Sequence, residues 1–305
     1  MKIFAPQYYK KFNCRADKCA HTCCAGWEID IDEATLNKYN SLGGEFGKRI
    51  KKSITTGDGM PCFALIDDNC PFLNESGLCD IITNLGEEYL CQICADHPRF
   101  RNFTTSRTEI GLGLACEEAA SLVLSSDEYD LVKIDGDNES EELSEWESFL
   151  LVKRELLFNL AKSNEDFEKK CQAILMEVGA QVPSLSAAEW KKIYLSLERL
   201  DEKWSQVLEN LQPLNAVRDE KIYTRVLVYM LFRHILDAQD DADLKSRVAF
   251  CVHATQFISA VADTLQGLGE SESDCESARL YSAEIEYSDD NLYALIDLFD
   301  TTRQG

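Results

Sequence analysis

The chain reads as a mainly α-helical protein in which an irregular, cysteine-rich N-terminal module packs on an α-helical C-terminal bundle. Three observations predict this. Ten of the thirteen cysteines fall in the first 116 residues, in closely spaced sets. From about residue 142 onward, apolar residues recur at the three- and four-residue steps of amphipathic helices. Alternating strand patterns are weak throughout. At 305 residues and 45% hydrophobic, the chain has material for one large or two ordinary domains with a proper core. The expected division is residues 1–125 for the cysteine-rich module and residues 126–305 for an acidic helical domain.

Within the first module only short helices are expected. Asp32 to Tyr39 is one, with Asp32 as its cap. GDGMPC (Gly57–Cys62) is a turn signal, and Asn74 to Gly77 inside CPFLNESGLC reads as a hairpin turn. The Gly clusters LGGEFG (Leu42–Gly47) and GLG (Gly111–Gly113) also read as turns. Ser125–Glu142 is polar and reads as a loop or linker. Beyond it, Trp146, Phe149, Leu150, Val152, Leu156 and Leu157 supply a broad apolar face. Trp190, Ile193, Tyr194, Leu197, Leu200 and Trp204 fit one amphipathic helix. Ile222–Leu236 is apolar almost all round, the pattern of a buried central helix, and Val248–Leu265 and Asn291–Phe299 continue the helical pattern. Cys171, Cys251 and Cys275 read as small hydrophobes of this half, and Trp27 and Trp204 as packing residues.

Net charge is −23 and unevenly divided. Residues 1–125 carry 13 Lys and Arg against 17 Asp and Glu, a net of −4; the remainder carries 18 against 37, a net of −19. An acidic second half repels phosphate backbones, which argues against a nucleic-acid partner. It either steers a lysine-bearing protein substrate by attraction or simply keeps the helices in solution. No run approaches the roughly 18 apolar residues of a membrane helix, so no membrane insertion is expected. The start, MKIFAPQYYKKFNC, has no continuous apolar run after Lys2, so neither a signal peptide nor export is expected, and the chain is placed in the reducing cytoplasm.

In that compartment disulfides are rare, and an odd cysteine count argues against a closed disulfide framework. Metal or iron–sulfur ligation is therefore favoured. Cys14, Cys19, Cys23 and Cys24 form C-x4-C-x3-C-C; Cys62, Cys70, Cys79, Cys91, Cys94 and Cys116 follow. Ligating thiolates must converge on one centre, which short spacings closed by a turn allow, and Cys91-x2-Cys94 has the two-residue knuckle spacing. Adjacent cysteines of an extended chain point to opposite sides, so Cys23 and Cys24 are expected to serve different roles. Zinc and an iron–sulfur cluster are equally compatible with such donors. The ferredoxin spacing is absent, and Gly26 stands where a third cysteine would follow Cys19 and Cys23 in a C-x3-C-x2-C triplet. His97 reads either as a ligand beside Cys94 or as a turn residue before Pro98.

F-x-C-x4-C-x3-C-C-x2-W (Phe12–Trp27), then CPFL…GLCDI…LGEEYLCQICADHPR (Cys70–Arg99) and LACEEAA (Leu114–Ala120), resemble the flagellin lysine N-methylase family. That family is related to a wider group of zinc- or iron-chelating CxxCxxCC domain proteins. The resemblance continues through IYTRVLVYMLFRHIL (Ile222–Leu236) to LYSAEIEYSDDN (Leu280–Asn291). It implies methyl transfer from S-adenosylmethionine to lysines of flagellin or another lysine-bearing protein, with a Cys-bound metal centre, a 4Fe-4S cluster or zinc. It also implies Cys14, Cys19, Cys23, Cys24, Cys70, Cys79, Cys94 and Cys116 as ligands, with Cys62 and Cys91 as secondary candidates. The closing segment departs from the family pattern, which has a basic residue near Ala283 and a histidine near Tyr287.

Methylation by displacement needs a neutral amine, although free lysine has a pKa near 10.4, so a site must desolvate the ammonium or offer a proton acceptor. Tyr281 and Glu284 are the candidate catalytic groups. With Ser288 and Asn291 they sit at i, i+3, i+7 and i+10, one polar face if the segment is a single helix, and otherwise ordinary helix surface. Glu286 lies off that face. There is no G-x-G-x-x-G after a strand and no strand–helix alternation of a doubly wound fold. Arg99, Arg233 and Asn291 are the candidate cosubstrate-binding residues. The alternative for Arg225 and Arg233 is a buried carboxylate partner within the fold. A second function class, a metal-binding or electron-carrying module without methylase activity, fits the same cysteines.

Overall fold

The computed structural model describes residues 1–57, 59–136, 142–214 and 216–300. In chain order the elements are β1 (Lys2–Pro6), α1 (Glu33–Ser41), α2 (Gly44–Lys52), β2 (Ile54–Gly57), β3 (Met60–Phe63), α3 (Asp80–Leu85), α4 (Gln92–Asp96), β4 (Arg99–Phe103), β5 (Arg107–Leu112), α5 (Glu117–Ser125), β6 (Leu131–Asp135), α6 (Glu145–Ala161), α7 (Phe167–Val178), α8 (Ala187–Ser196), α9 (Glu202–Glu209), α10 (Glu220–His234), α11 (Asp241–Gly267), α12 (Ser273–Tyr281) and α13 (Asp289–Leu298). A π-helical turn, Ser282–Glu286, joins α12 to α13. The protein is thus mainly helical with a small sheet. It divides into two compact units, one of Met1–Phe12 with Phe100–Gly305 and one of Asn13–Arg99.

These bounds fall at 12/13 and 99/100 rather than at 125/126, because a four-stranded sheet gathers distant segments in the order β4-β5-β1-β6. β1 runs parallel to β5, with Lys2 opposite Arg107, and antiparallel to β6, with Phe4 opposite Lys133. β6 lies inside the stretch expected to be a linker; residues 137–141 of that stretch lie outside the described residues. GLG is not a turn either. Gly111 is part of β5, and a Cβ there would stand 2.2 Å from the Phe100 ring.

The core of this larger unit forms around α10 and α11. Asp219 caps α10 by accepting from the Lys221 and Ile222 amides at 2.8 and 3.0 Å, and Tyr223 to Phe232 are all buried. By length and composition α11 could cross a membrane, but 89% of its apolar window is buried inside the protein, which makes it the core helix. The expected single helix from Trp190 to Trp204 is two helices, α8 and α9. Its periodicity survives because Trp190, Tyr194 and Trp204 all reach the same core. The break occurs where the amides of Glu198 and Leu200 turn to side chains elsewhere, the Asn291 carbonyl at 2.9 Å and the Glu284 carboxylate at 3.1 Å. Asp201 then caps α9 through the Lys203 amide.

The Asn13–Arg99 unit has a separate, small core of Ile29, Ile31, Tyr39, Ile50, Phe63, Phe72 and Ile81 with Cys70 and Cys91. Asp32 caps α1 as expected, one oxygen accepting from the Thr35 amide at 2.9 Å, while the other accepts from the Gln92 amide at 2.8 Å and so fixes the start of α4. GDGMPC turns the β2–β3 hairpin, with Asp58 outside the described residues. Asn74 closes its own turn by accepting from the Ser76 and Leu78 amides. LGGEFG leads into and begins α2.

Candidate functional site

Five thiols of the Asn13–Arg99 unit, carried by separate segments, act on one another: Cys24, Cys70, Cys79, Cys91 and Cys94. The Cys70 amide donates to the Cys24 carbonyl at 2.7 Å, Leu73 bridges to Cys79, and Cys91 stands at the head of α4, which carries Cys94. A hydrogen bond from the Cys23 thiol brings Cys24 down to about 7 against the effect of burial. The Cys91–Cys94 hydrogen bond lowers Cys91 and raises Cys94, which burial raises further. Burial pushes Cys70 up to about 12, with the charges of Cys24, Cys79 and Cys91 adding to it. Clustered soft donors of this kind fit a thiophilic metal in chemistry. Among the described residues, no three His, Cys, Asp or Glu side chains stand in a ligating arrangement.

The other cysteines are placed differently. Cys14 and Cys23 are exposed, and the Cys14 sulfur accepts from the Ala16 amide at 3.4 Å. Cys62 is buried in β3, its thiol raised by burial and by a hydrogen bond with Glu28. Cys116 precedes α5 and belongs to the larger unit. His97 lies tilted against Trp27, ring centroids 6.3 Å apart, and burial with the Arg99 charge pushes it down to about 4. The Arg99 guanidinium donates to the Ala95 carbonyl at 3.3 Å.

The larger unit holds a buried charged cluster on α10 and the π-helical turn. The Glu286 carboxylate takes hydrogen bonds from Tyr229 at 3.0 Å and from His234 at 2.8 Å, and pairs with the Arg233 guanidinium at 3.3 Å. Burial alone would raise Glu286, but Arg233 and His234 hold it down at about 2. Burial lowers His234. Arg233 also donates to the Tyr229 hydroxyl at 2.8 Å and to the Glu286 carbonyl at 3.1 Å, between the rings of Phe100 and Tyr287. A Cβ on Gly113 would stand 2.4 Å from the Tyr287 hydroxyl, so glycine is what admits that ring.

Comparison with known proteins adds the following. The chain is 27% identical over 131 residues to the lysine-N-methylase of Salmonella typhimurium, covering 40% of this chain and 32% of that protein. The chain is similar to lysine-N-methylases. The lysine-N-methylase of Salmonella choleraesuis matches to the same extent. The flagellar biosynthetic protein FliU of Salmonella muenchen also matches at 27% over 131 residues, 77% of its length. The chain thus spans about a third of the length of the lysine-N-methylases it matches. No family model and no solved structure matches.

Of the residues that this lysine-N-methylase likeness implies, Cys24, Cys70, Cys79 and Cys94 lie near enough to affect one another's thiols, as does Cys91, without a ligating arrangement among the described residues. The polar face of Tyr281, Glu284, Ser288 and Asn291 does not form as one helix, because the π-helical turn separates α12 from α13. Tyr281 is buried among Trp204, Tyr194 and Phe257, its hydroxyl 3.3 Å from that of Tyr194. The Asn291 amide serves the backbone: it donates to the carbonyls of Glu198 and Glu284 at 2.9 and 2.7 Å and accepts from the Glu198 amide. Arg233 has the expected buried carboxylate partner, Glu286, whereas Arg225 pairs with an exposed one, Asp127. Glu284 differs from these. It is buried and raised to about 7 by burial, and one carboxylate oxygen has no hydrogen-bond partner. Glu286, set aside as off the polar face, is the centre of the charged cluster.

Proposed function

We propose that the chain is a protein lysine N-methyltransferase that takes its methyl group from S-adenosylmethionine and acts on flagellin or another lysine-bearing protein. The 131-residue similarity to proteins named lysine-N-methylase carries this reading. The thiols of Cys24, Cys70, Cys79, Cys91 and Cys94 would hold an iron–sulfur cluster or zinc. Held by four of these thiolates the group would be closed and structural; held by three it would leave one position open for the amino and carboxylate groups of the cosubstrate.

In the transfer itself, the lysine nitrogen lone pair forms a bond to the sulfonium methyl carbon as the carbon–sulfur bond breaks. The electron pair stays on sulfur, leaving a neutral thioether. The amine must first lose its ammonium proton, and Glu284, held near 7 with one oxygen unpartnered, is the acceptor this chain offers. Its other oxygen is anchored by the Leu200 amide, which fixes the carboxylate in place. The acidic second half draws in a cationic substrate, and high salt weakens that attraction.

The second reading, a metal module without transfer activity, rests on the thiol set standing in a unit with its own core. Anaerobically purified protein incubated with methyl-labelled S-adenosylmethionine and flagellin separates the two. Label on lysine, with iron and acid-labile sulfide in near-equal amounts, is the expected result. Metal-replete protein that transfers no label to any lysine-bearing acceptor overturns the methylase reading.

A further inference from the structure

α6 carries apolar side chains on both faces. Leu150, Leu157, Phe158 and Ala161 enter the core, but Phe149, Val152 and Leu156 on the outer side are 40%, 64% and 44% exposed. The outer side of a surface helix is ordinarily polar, so three exposed apolar side chains in a row on α6 fit an interaction surface. From Phe149 to Leu156 this seam runs about 10 Å, at steps of three and four residues.

The seam is also held in place. The Trp146 indole donates to the Ala238 carbonyl at 2.7 Å and stacks on Phe149 at 5.2 Å, and the Lys153 ammonium lies 5.6 Å from the same ring. A rigid aromatic anchor of this kind costs little ordering entropy when a partner arrives. The charge around it has one sign to offer. Lys153 is committed to Glu177 at 2.7 Å, while the exposed Glu145 and Glu155 have no ion-pair partner among the described residues.

We propose that the outer face of α6 is the docking surface for an amphipathic helix whose apolar side is edged by lysines, borne by the protein substrate. That this partner is the substrate rests on the methyl-transfer reading; the surface itself does not. A helix laid along the seam places apolar residues on Phe149, Val152 and Leu156 and lysines beside Glu145 and Glu155, the helix-on-helix mode of peptide recognition.

The test uses the full chain without S-adenosylmethionine. The probes are a fluorescent amphipathic helix of Leu and Lys, its counterpart with Glu for Lys, and a scrambled Leu/Lys peptide. Val152→Asp should weaken the Leu/Lys helix about tenfold, the loss of one good anchor. A purely electrostatic binder would instead bind more tightly to that added charge. Glu145→Lys with Glu155→Lys should weaken it comparably, and Met176→Asp, at an 81% exposed position of α7, should not. Unchanged or tighter binding by Val152→Asp overturns the proposal, as does equal binding of the Glu or scrambled peptide. So does a wild-type dimer in sedimentation that Val152→Asp turns into monomer, which assigns the seam to a second copy. Methyl transfer is measured separately, so binding without transfer counts against the methylase reading alone. Transfer with seam-independent binding counts against the docking surface alone.

Discussion

In the larger unit, α10 and α11 bury side chains along most of their length, and that apolar mass encloses a complete charged cluster around Glu286. Among the described residues of Asn13–Arg99 the buried core cluster is nine residues, two of them cysteines, and three further interacting thiols lie half-buried at its margin. The first arrangement has enough burial to hold ionised groups away from water, provided each finds a partner. The second has a small core with thiols gathered at its edge. Polar chemistry in the larger unit is therefore supported by packing, whereas the smaller unit sets its thiols beside a core with little packing to spare.

The substitution that stresses this contrast most is Phe72→Ala. Phe72 is fully buried, edge-on to Phe63 at 5.0 Å, with the Arg49 guanidinium 5.1 Å from its ring. Truncating such a ring costs about 3–5 kcal/mol. In so small a core that loss should remove amide-exchange protection across Asn13–Arg99 while α10 and α11 keep theirs. An equal loss of protection in both units breaks the contrast.

Much of this was legible beforehand, and what was missed has physical causes. The Asp32 cap, the Asn74 turn and the buried Ile222–Leu236 helix depend on neighbours within a few residues, so local patterns reveal them. The sheet depends on pairings such as Lys2 with Arg107, and a five-residue strand like KIFAP has no local partner to announce it. Glu286 escapes the local pattern for a related reason. A π-helical turn closes over a longer step than an α-helix, so face-counting with α-helical spacing through Ser282–Glu286 goes out of phase. The pairing of Cys91 with Cys94 is legible in their two-residue spacing at the head of α4, but that Cys24, Cys70 and Cys79 lie near them is not.

A smaller effect sharpens the contrast from the packed side. Phe100 lies against Phe232 and Arg233, centroid distances 5.6 and 4.8 Å, and a methyl group on Gly111 has nowhere to go. Overpacking of this kind costs about 1–3 kcal/mol, so Gly111→Ala should lower the denaturation midpoint of the larger unit. Gly267→Ala, at a position with nothing within 4 Å, should leave it unchanged or slightly raised. If the two variants unfold alike, the tight approach of Phe100 to the strand is not a constraint.

The smallest expected effect is a tilt of stability with pH, to which His253, His234 and Glu284, all buried in the larger unit, contribute. His253 is stacked on Trp190 at 3.8 Å and pushed by burial from 6.5 to about 3. Between those values the unfolded chain binds the proton that the folded one refuses, so stability falls as pH drops below 6.5. Glu284 is pushed the other way, from 4.5 to about 7. Over that range the folded chain holds a proton that the unfolded one releases, so its contribution grows as pH drops from 7 to 4.5. The Glu284 slope opposes that of His253 between pH 4.5 and 6.5, while His234, which burial also lowers, adds to the histidine side. Glu284→Gln removes the opposing slope and should make the larger unit lose stability more steeply on acidification. His253→Phe removes one histidine slope and should make the loss on acidification less steep than in the native protein. Thermal melts of both variants from pH 4.5 to 7 decide it, and parallel curves would mean that neither buried group titrates with the fold.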